Sequence, residues 1–135
     1  MIVLDCSAAV NMVQGTTEGN ALLALIYENE KVISSELFAV EAANTFWRYV
    51  KQGKASDKEA FIHLRDAVAL VDEFIPIHEN YEEAFHESIR LNHSTYDMLY
   101  FTLARRNAAT LVTLDAKLMD LCDEQGVDCI VEVEI

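Results

Sequence analysis

The sequence predicts a three-layer α/β/α fold around a mostly parallel central sheet of about five short strands. Short runs of branched apolar residues recur at Ile2-Val3-Leu4, Val32-Ile33 and Thr110 to Leu114, each too short for a helix and each followed by a polar residue. Between them lie longer segments whose apolar residues return every three or four positions, the period of an amphipathic helix. Strands separated by helix-length crossovers are what a parallel sheet requires.

Taken in order, the first strand covers residues 2 to 5 and closes at Asp5-Cys6-Ser7. Thr17-Glu18 precedes Ala21, Leu22, Leu23, Leu25 and Ile26, a helix of about 10 residues that ends near Glu28-Asn29. Lys31-Val32-Ile33-Ser34 is the second strand. Ser35 is placed to cap a helix carrying Phe38, Val40, Ala43, Phe46 and Trp47, with Glu36 in its first turn, and Gly53 ends that helix after Lys51-Gln52. Ser56 with Glu59 three residues later is a capping box, opening a helix with Ala60, Phe61, Leu64, Ala67, Val68 and Val71 inward. Phe74 to Ile77 is a short strand or extended link, Asn80 starts a helix over Tyr81 to Leu91, and His93-Ser94 breaks it. Ser94 or Thr95 caps the next helix, whose Met98, Leu99, Phe101, Leu103 and Ala104 leave few polar positions and mark it as central. Thr110 to Leu114 is the clearest buried strand. Ala116 to Gln125 follows as a helix, with Gly126 as its terminator and Val127 to Val133 as a last strand.

A length of 135 residues with 52% hydrophobic content fits one domain over 1–135 with a sizeable core, and 1 Pro and 4 Gly leave no linker to divide it. No apolar run approaches the roughly 20 residues of a membrane span. The start of the chain lacks the basic region and cleavage site of an export signal, so a cytoplasmic protein is expected. Cys6, Cys122 and Cys129 are odd in number and unclustered, which fits reduced, packed thiols. With 23 Asp and Glu against 10 Lys and Arg the formal net charge is -13, a field that repels polyanions in general. Half of the cations, Arg48, Lys51, Lys54, Lys58 and Arg65, nevertheless fall in one 18-residue stretch that contains only Asp57 and Glu59 as acids.

Four acids stand at punctuated positions: Asp5 and Asp115 at the ends of apolar runs, Asp97 at the start of the central helix and Glu41 within an apolar helix. In a parallel α/β fold the carboxyl ends of the strands are where ligands bind, and Asp5 and Asp115 sit at such ends. Brought together, four carboxylates repel one another unless a cation sits among them, so the set points to a divalent metal site and to a metal-dependent phosphodiesterase. Asn44 and Arg48 continue the Glu41 face at helical spacing, with Lys51 just beyond, a row suited to a phosphodiester backbone or simply to solvation. Ser7 and Thr113 either hydrogen-bond a ligand carboxylate or satisfy backbone groups. His78 and His93 fit ordinary turn positions, and the aromatic residues Phe38, Phe46, Trp47 and Tyr49 fit burial or a subunit contact better than base stacking.

At these residues the chain resembles the PIN-domain ribonucleases, in particular the VapC toxins of toxin-antitoxin systems. The opening Ile2 to Ser7 is similar to that family's first strand with its leading aspartate. Glu41-Ala42-Ala43-Asn44 resembles its Glu-x-x-Asn helix, Tyr96-Asp97 and the helix behind it its third motif, and Leu111 to Asp115 its fourth. Met98 stands where the family commonly has Ala. The resemblance implies a catalytic and metal-binding set of Asp5, Glu41, Asp97 and Asp115; beside it, the reading of the residues above offers Ser7, Asn44 and Thr113 as support and Arg48 and Lys51 as substrate contacts. It further implies one or two Mg²⁺ or Mn²⁺ ions, a metal-activated water, RNA as substrate, and products with 5'-phosphate and 3'-hydroxyl ends. A homodimer and a basic antitoxin partner, drawn to the acidic surface, belong to the same expectation. Two other classes compete. An acidic interaction module without efficient catalysis fits the net charge, although all four acids are present. A receiver-like phosphotransfer domain lacks its acidic pair at the first strand, and Lys117 falls inside a helix.

Overall fold

The computed structural model describes residues 1–26 and 30–130. Four strands, β1 (Ile2–Leu4), β2 (Val32–Ser35), β3 (Glu73–Ile75) and β4 (Thr110–Val112), form a parallel sheet in the order β3-β2-β1-β4. Val3 lies opposite Ile33 on one side and Leu111 on the other, which makes β1 a central strand. All three of its residues are buried, as expected of a strand covered on both faces.

Helices α1 (Cys6–Gln14) and α2 (Thr17–Ile26) connect β1 to β2, and α3 (Leu37–Lys51) and α4 (Asp57–Ala69) connect β2 to β3. A 3-10 turn, Ile77–Glu79, leads into α5 (Tyr81–Leu91) and α6 (Thr95–Asn107), which return the chain to β4, and α7 (Ala116–Gln125) follows. The steps β1 to β2 to β3 run one way along the sheet and the step β3 to β4 runs back. Right-handed crossovers therefore place α1–α4 on one face and α5 and α6 on the other. The packing agrees: α1 touches α2, α3 and α4, while α6 touches α5, α7 and the strands β1, β2 and β4. Seven consecutive residues of α6, Met98 to Ala104, are buried, so the helix with few polar positions is central as predicted.

The predicted capping box is present, with Ser56 Oγ accepting from the Glu59 N–H at 3.1 Å, and Ser94 is the cap of α6. Three expectations are corrected, and one segment for which none was made is an element. Residues 6–14 are helical, because the Asp5 carboxylate caps the chain directly after β1 and Gly15, at φ 70°, ends the helix. β4 stops at Val112, since Thr113 turns its hydroxyl onto Asp5. Phe61, expected inward, is 61% exposed, because α4 buries only its Leu64, Ala67 and Val68 side against α1 and α3. Among the described residues the fifth strand is a single parallel bridge, Leu111 to Cys129. The rest of that expected strand, 131–133, and the expected helix end at Glu28-Asn29 lie outside the described residues.

Candidate active site

At the carboxyl edge of the sheet, side-chain hydroxyls tie the strand ends together. Ser34 Oγ donates to the Leu4 carbonyl at 2.6 Å, and the Asp5 N–H donates to the Val112 carbonyl at 3.1 Å. Asp5 is thereby fixed beside the turn after β4. Its Oδ1 accepts from the Ala8 N–H at 3.0 Å and from Ser7 Oγ at 2.8 Å, and its Oδ2 accepts from Thr113 Oγ1. Both hydroxyls are themselves held: Leu114 N–H donates to Ser7 Oγ, and Asp115 N–H to Thr113 Oγ1, each at 3.0 Å. Two hydroxyl relays thus bind the turn that presents Asp115 to the carboxylate that caps α1.

Asp5 is 4% exposed, and burial pushes its carboxyl up from 3.8 to about 6 despite the hydrogen bonds from Thr113, Ala8 and Ser7; the nearby Asp97 charge adds to the rise. Glu41, half-buried on α3, is raised for the same first reason, partly countered by the Tyr100 hydroxyl that donates to its Oε1, with Asp97 again raising it. Asp97 lies in the first turn of α6, where free N–H groups favour a negative charge, and its Oδ2 meets His93 Nε2 at 2.8 Å. Asp115 caps α7, its Oδ1 accepting from the Leu118 N–H at 3.0 Å. Cys6, at the foot of the cleft, has its thiol pushed up to about 12 by burial and then by the Glu41 and Asp5 charges, so it stays protonated.

All four predicted acids line one cleft of about 470 Å³, together with Ser7, Asn44 and Arg48. Thr113 stands behind Asp5, and Lys51 lies outside the cleft with its Nζ 5.1 Å from the centre of the Trp47 ring. Two contacts involve partners for which the sequence gives little or no signal. Tyr100 and Glu41 are 59 positions apart and meet only because α3 and α6 converge at this edge. His93 was assigned to an ordinary turn, and its spacing of four from Asp97 is the one clue that was there. Among the described residues no three His, Cys, Asp or Glu side chains are arranged around a common ion position, because the carboxylates are turned toward protein donors. The donor set nonetheless suits a hard divalent cation. It consists of carboxylate oxygens, two of them raised by burial, and for Glu41, Asp97 and Asp115 the hydrogen bonds described occupy one oxygen and leave the other open.

The family model of the PIN domain matches residues 2–124, the stretch that holds the parallel sheet and the four acids at its carboxyl edge. The chain belongs to the PIN domain family. PIN domains are generally nucleases and generally use divalent metal ions. This PIN domain is similar in fold to the crystal structure of PAE2754 from Pyrobaculum aerophilum, with a TM-score of 0.71 and 21% identity over 88% of this chain and 82% of that one. It is also similar to VapC20 of Mycobacterium tuberculosis, a toxin that cleaves the sarcin-ricin loop, with a TM-score of 0.66 and 16% identity over 90% of this chain and 95% of that one. No curated protein matches by sequence.

Proposed function

We propose that this PIN domain is a metal-dependent endoribonuclease, the toxin of a toxin-antitoxin pair acting in the cytoplasm, and that it leaves 5'-phosphate and 3'-hydroxyl ends. The observation that carries the reading is the meeting of Asp5, Glu41, Asp97 and Asp115 in one cleft from four separate segments of the chain. Asp5, Asp97 and Asp115, with Glu41, are the residues to hold one or two Mg²⁺ or Mn²⁺ ions. When bound, such ions acidify a water as the nucleophile and neutralise charge on the phosphoryl oxygens. The protein's own part is orientation. Ser7 and Thr113 fix both oxygens of Asp5, Tyr100 fixes one oxygen of Glu41, and His93 fixes one of Asp97. Asn44 and Arg48, exposed at the rim, are placed to meet the phosphodiester backbone. A basic antitoxin would find the acidic remainder of the surface complementary. The exposed apolar stripe Tyr81, Phe85 and Ile89 on α5 is the face on which we place a second copy in a homodimer.

Incubation of a structured-RNA pool with Mg²⁺ or Mn²⁺, comparing the native chain with Asp5→Ala and Asp97→Ala, tests the reading. Metal-dependent cuts bearing 5'-phosphates that vanish in both variants are expected. Cleavage that persists in both variants would place the chemistry elsewhere. Absence of any cleavage by a protein that binds the ions favours the interaction-module alternative.

A further inference from the structure

We propose that the groove between α3 and α4 is a stacking platform for an unpaired RNA base, reached from the active-site cleft around the exposed side of α3. The inference rests on the RNA-cleavage reading above and names a second contact for the same substrate. A cavity of about 380 Å³ is lined by apolar residues that include Phe46, Trp47, Phe61 and Leu64, with Asp57 as its one charged lining residue among the described residues. Its floor, Phe46, is buried as expected, whereas its two walls are exposed, Phe61 at 61% and, against the burial or subunit contact expected of it, Trp47 at 56%. Aromatic faces left in water in this way are what sequence-tolerant binding of single strands uses. Each wall carries a cation one turn further along its own helix. Lys51 Nζ lies 5.1 Å from the Trp47 ring centre and the Arg65 guanidinium carbon 6.0 Å from that of Phe61.

Helical geometry joins this groove to the cleft. At 3.6 residues per turn, Glu41 and Arg48 lie within about 20° of each other, Lys51 about 60° beyond Arg48, and Trp47 about 40° beyond Lys51. Asn44, Arg48, Lys51 and Trp47 are all exposed, so a continuous path runs round α3 over a width of about 10 Å. Charge selects the occupant. Residues 48 to 65 hold five cations and two acids, a net of +3, which leaves -16 on the rest of the chain. A polyanion is therefore drawn to this hairpin and repelled elsewhere, while a basic protein is drawn the other way.

Trp47 is the sole tryptophan, so its fluorescence reports on the groove directly. The native chain, held in chelator to prevent cleavage, is titrated with a short single-stranded oligoadenylate and, separately, with a blunt RNA duplex. Saturable quenching by the single strand and not by the duplex is expected. Trp47→Ala and Phe61→Ala, followed by anisotropy of labelled RNA, should each weaken binding about tenfold without lowering Tm, and Trp47→Phe should retain most of it. Lys51→Ala should reduce the slope of log affinity against log salt by about one. Unchanged fluorescence with RNA bound, or unchanged affinity in both alanine variants, overturns the platform and leaves the nuclease intact. A concentration-dependent blue shift without RNA, tracking dimer formation, overturns it in favour of a second copy in the groove. Binding that shows the platform while the metal-loaded chain cuts nothing sinks the nuclease reading instead.

Discussion

Asp5 shows what burying a carboxylate at the sheet edge costs at the scale of one residue. A carboxylate 4% exposed, held by two hydroxyls and a backbone N–H, still has its carboxyl raised to about 6. A folded-state value above the unfolded one means that the folded chain binds the proton more tightly, so this residue's contribution is fully present below about pH 4 and is lost as pH rises through about 6. The difference amounts to on the order of 3 kcal/mol. Glu41 acts in the same direction. Glu87 acts in the opposite one: burial alone would raise it, but hydrogen bonds from Arg90 and Arg105 outweigh that and hold it below the ordinary range. A difference between two proteins isolates Asp5 from such groups. Asp5→Asn keeps the side-chain shape, and hydroxyls can reverse to accept from its amide. Urea unfolding of the metal-free proteins should show Asp5→Asn gaining on the native chain between pH 4 and pH 7, with the gap level above that. A gap that stays constant with pH would mean that the Asp5 carboxyl is not raised.

Among the elements, α1 and α2 meet with their backbones nearly in contact. A Cβ on Gly19 would stand 2.1 Å from the Asn11 carbonyl oxygen and 2.3 Å from its carbon, atoms that cannot swing aside. Alanine ordinarily stabilises a helix by about 1 kcal/mol relative to glycine. Here the clash reverses the sign, and Gly19→Ala should lose roughly 1–3 kcal/mol in chemical denaturation, with α2 displaced from α1. An unchanged or higher midpoint would show that the two helices are farther apart than described. This close pair is also where the sequence was least legible. Strands and long amphipathic helices announced themselves by period, and α5 and α7 occupy the ranges expected of them, α7 capped by Asp115 and α5 without a side-chain cap, since the Asn80 amide donates to the Leu99 carbonyl and to Thr102 Oγ1. α1 spans only 9 residues, its buried Cys6, Ala8, Ala9, Val10 and Met12 are mostly small, and its cap is the same Asp5 already assigned to the site. The short polar stripe Ser7, Asn11 and Gln14, with Asp5 before it and Gly15 after it, was the available signal. The candidate acids were legible because Asp5, Asp97 and Asp115 punctuate elements and Glu41 interrupts an apolar helix. Their partners Tyr100 and His93 were less so, Tyr100 above all, since a contact made by convergence of two helices leaves no local pattern.

For the whole molecule the governing quantity is a net charge of -13. Self-repulsion of that size destabilises the compact state, and salt relieves it by screening over about 10 Å at 0.1 M. Monovalent salt should therefore raise Tm smoothly. A divalent cation at equal ionic strength should do more, because the cleft offers four carboxylates from separate elements, and binding to the folded state alone adds about 3 kcal/mol at a hundredfold excess over Kd. In a domain of this length that corresponds to on the order of 10 °C. Scattered surface acids also attract divalent ions, so the decisive comparison is with Asp97→Asn. This variant removes one ligand charge of the proposed site and leaves the rest of the surface as it was. The expected result is that Mg²⁺ or Mn²⁺ raises the Tm of the native chain well above the NaCl curve and moves Asp97→Asn hardly beyond it. If the two proteins respond alike, the divalent ions are acting on the general surface charge and the four acids do not form the metal site.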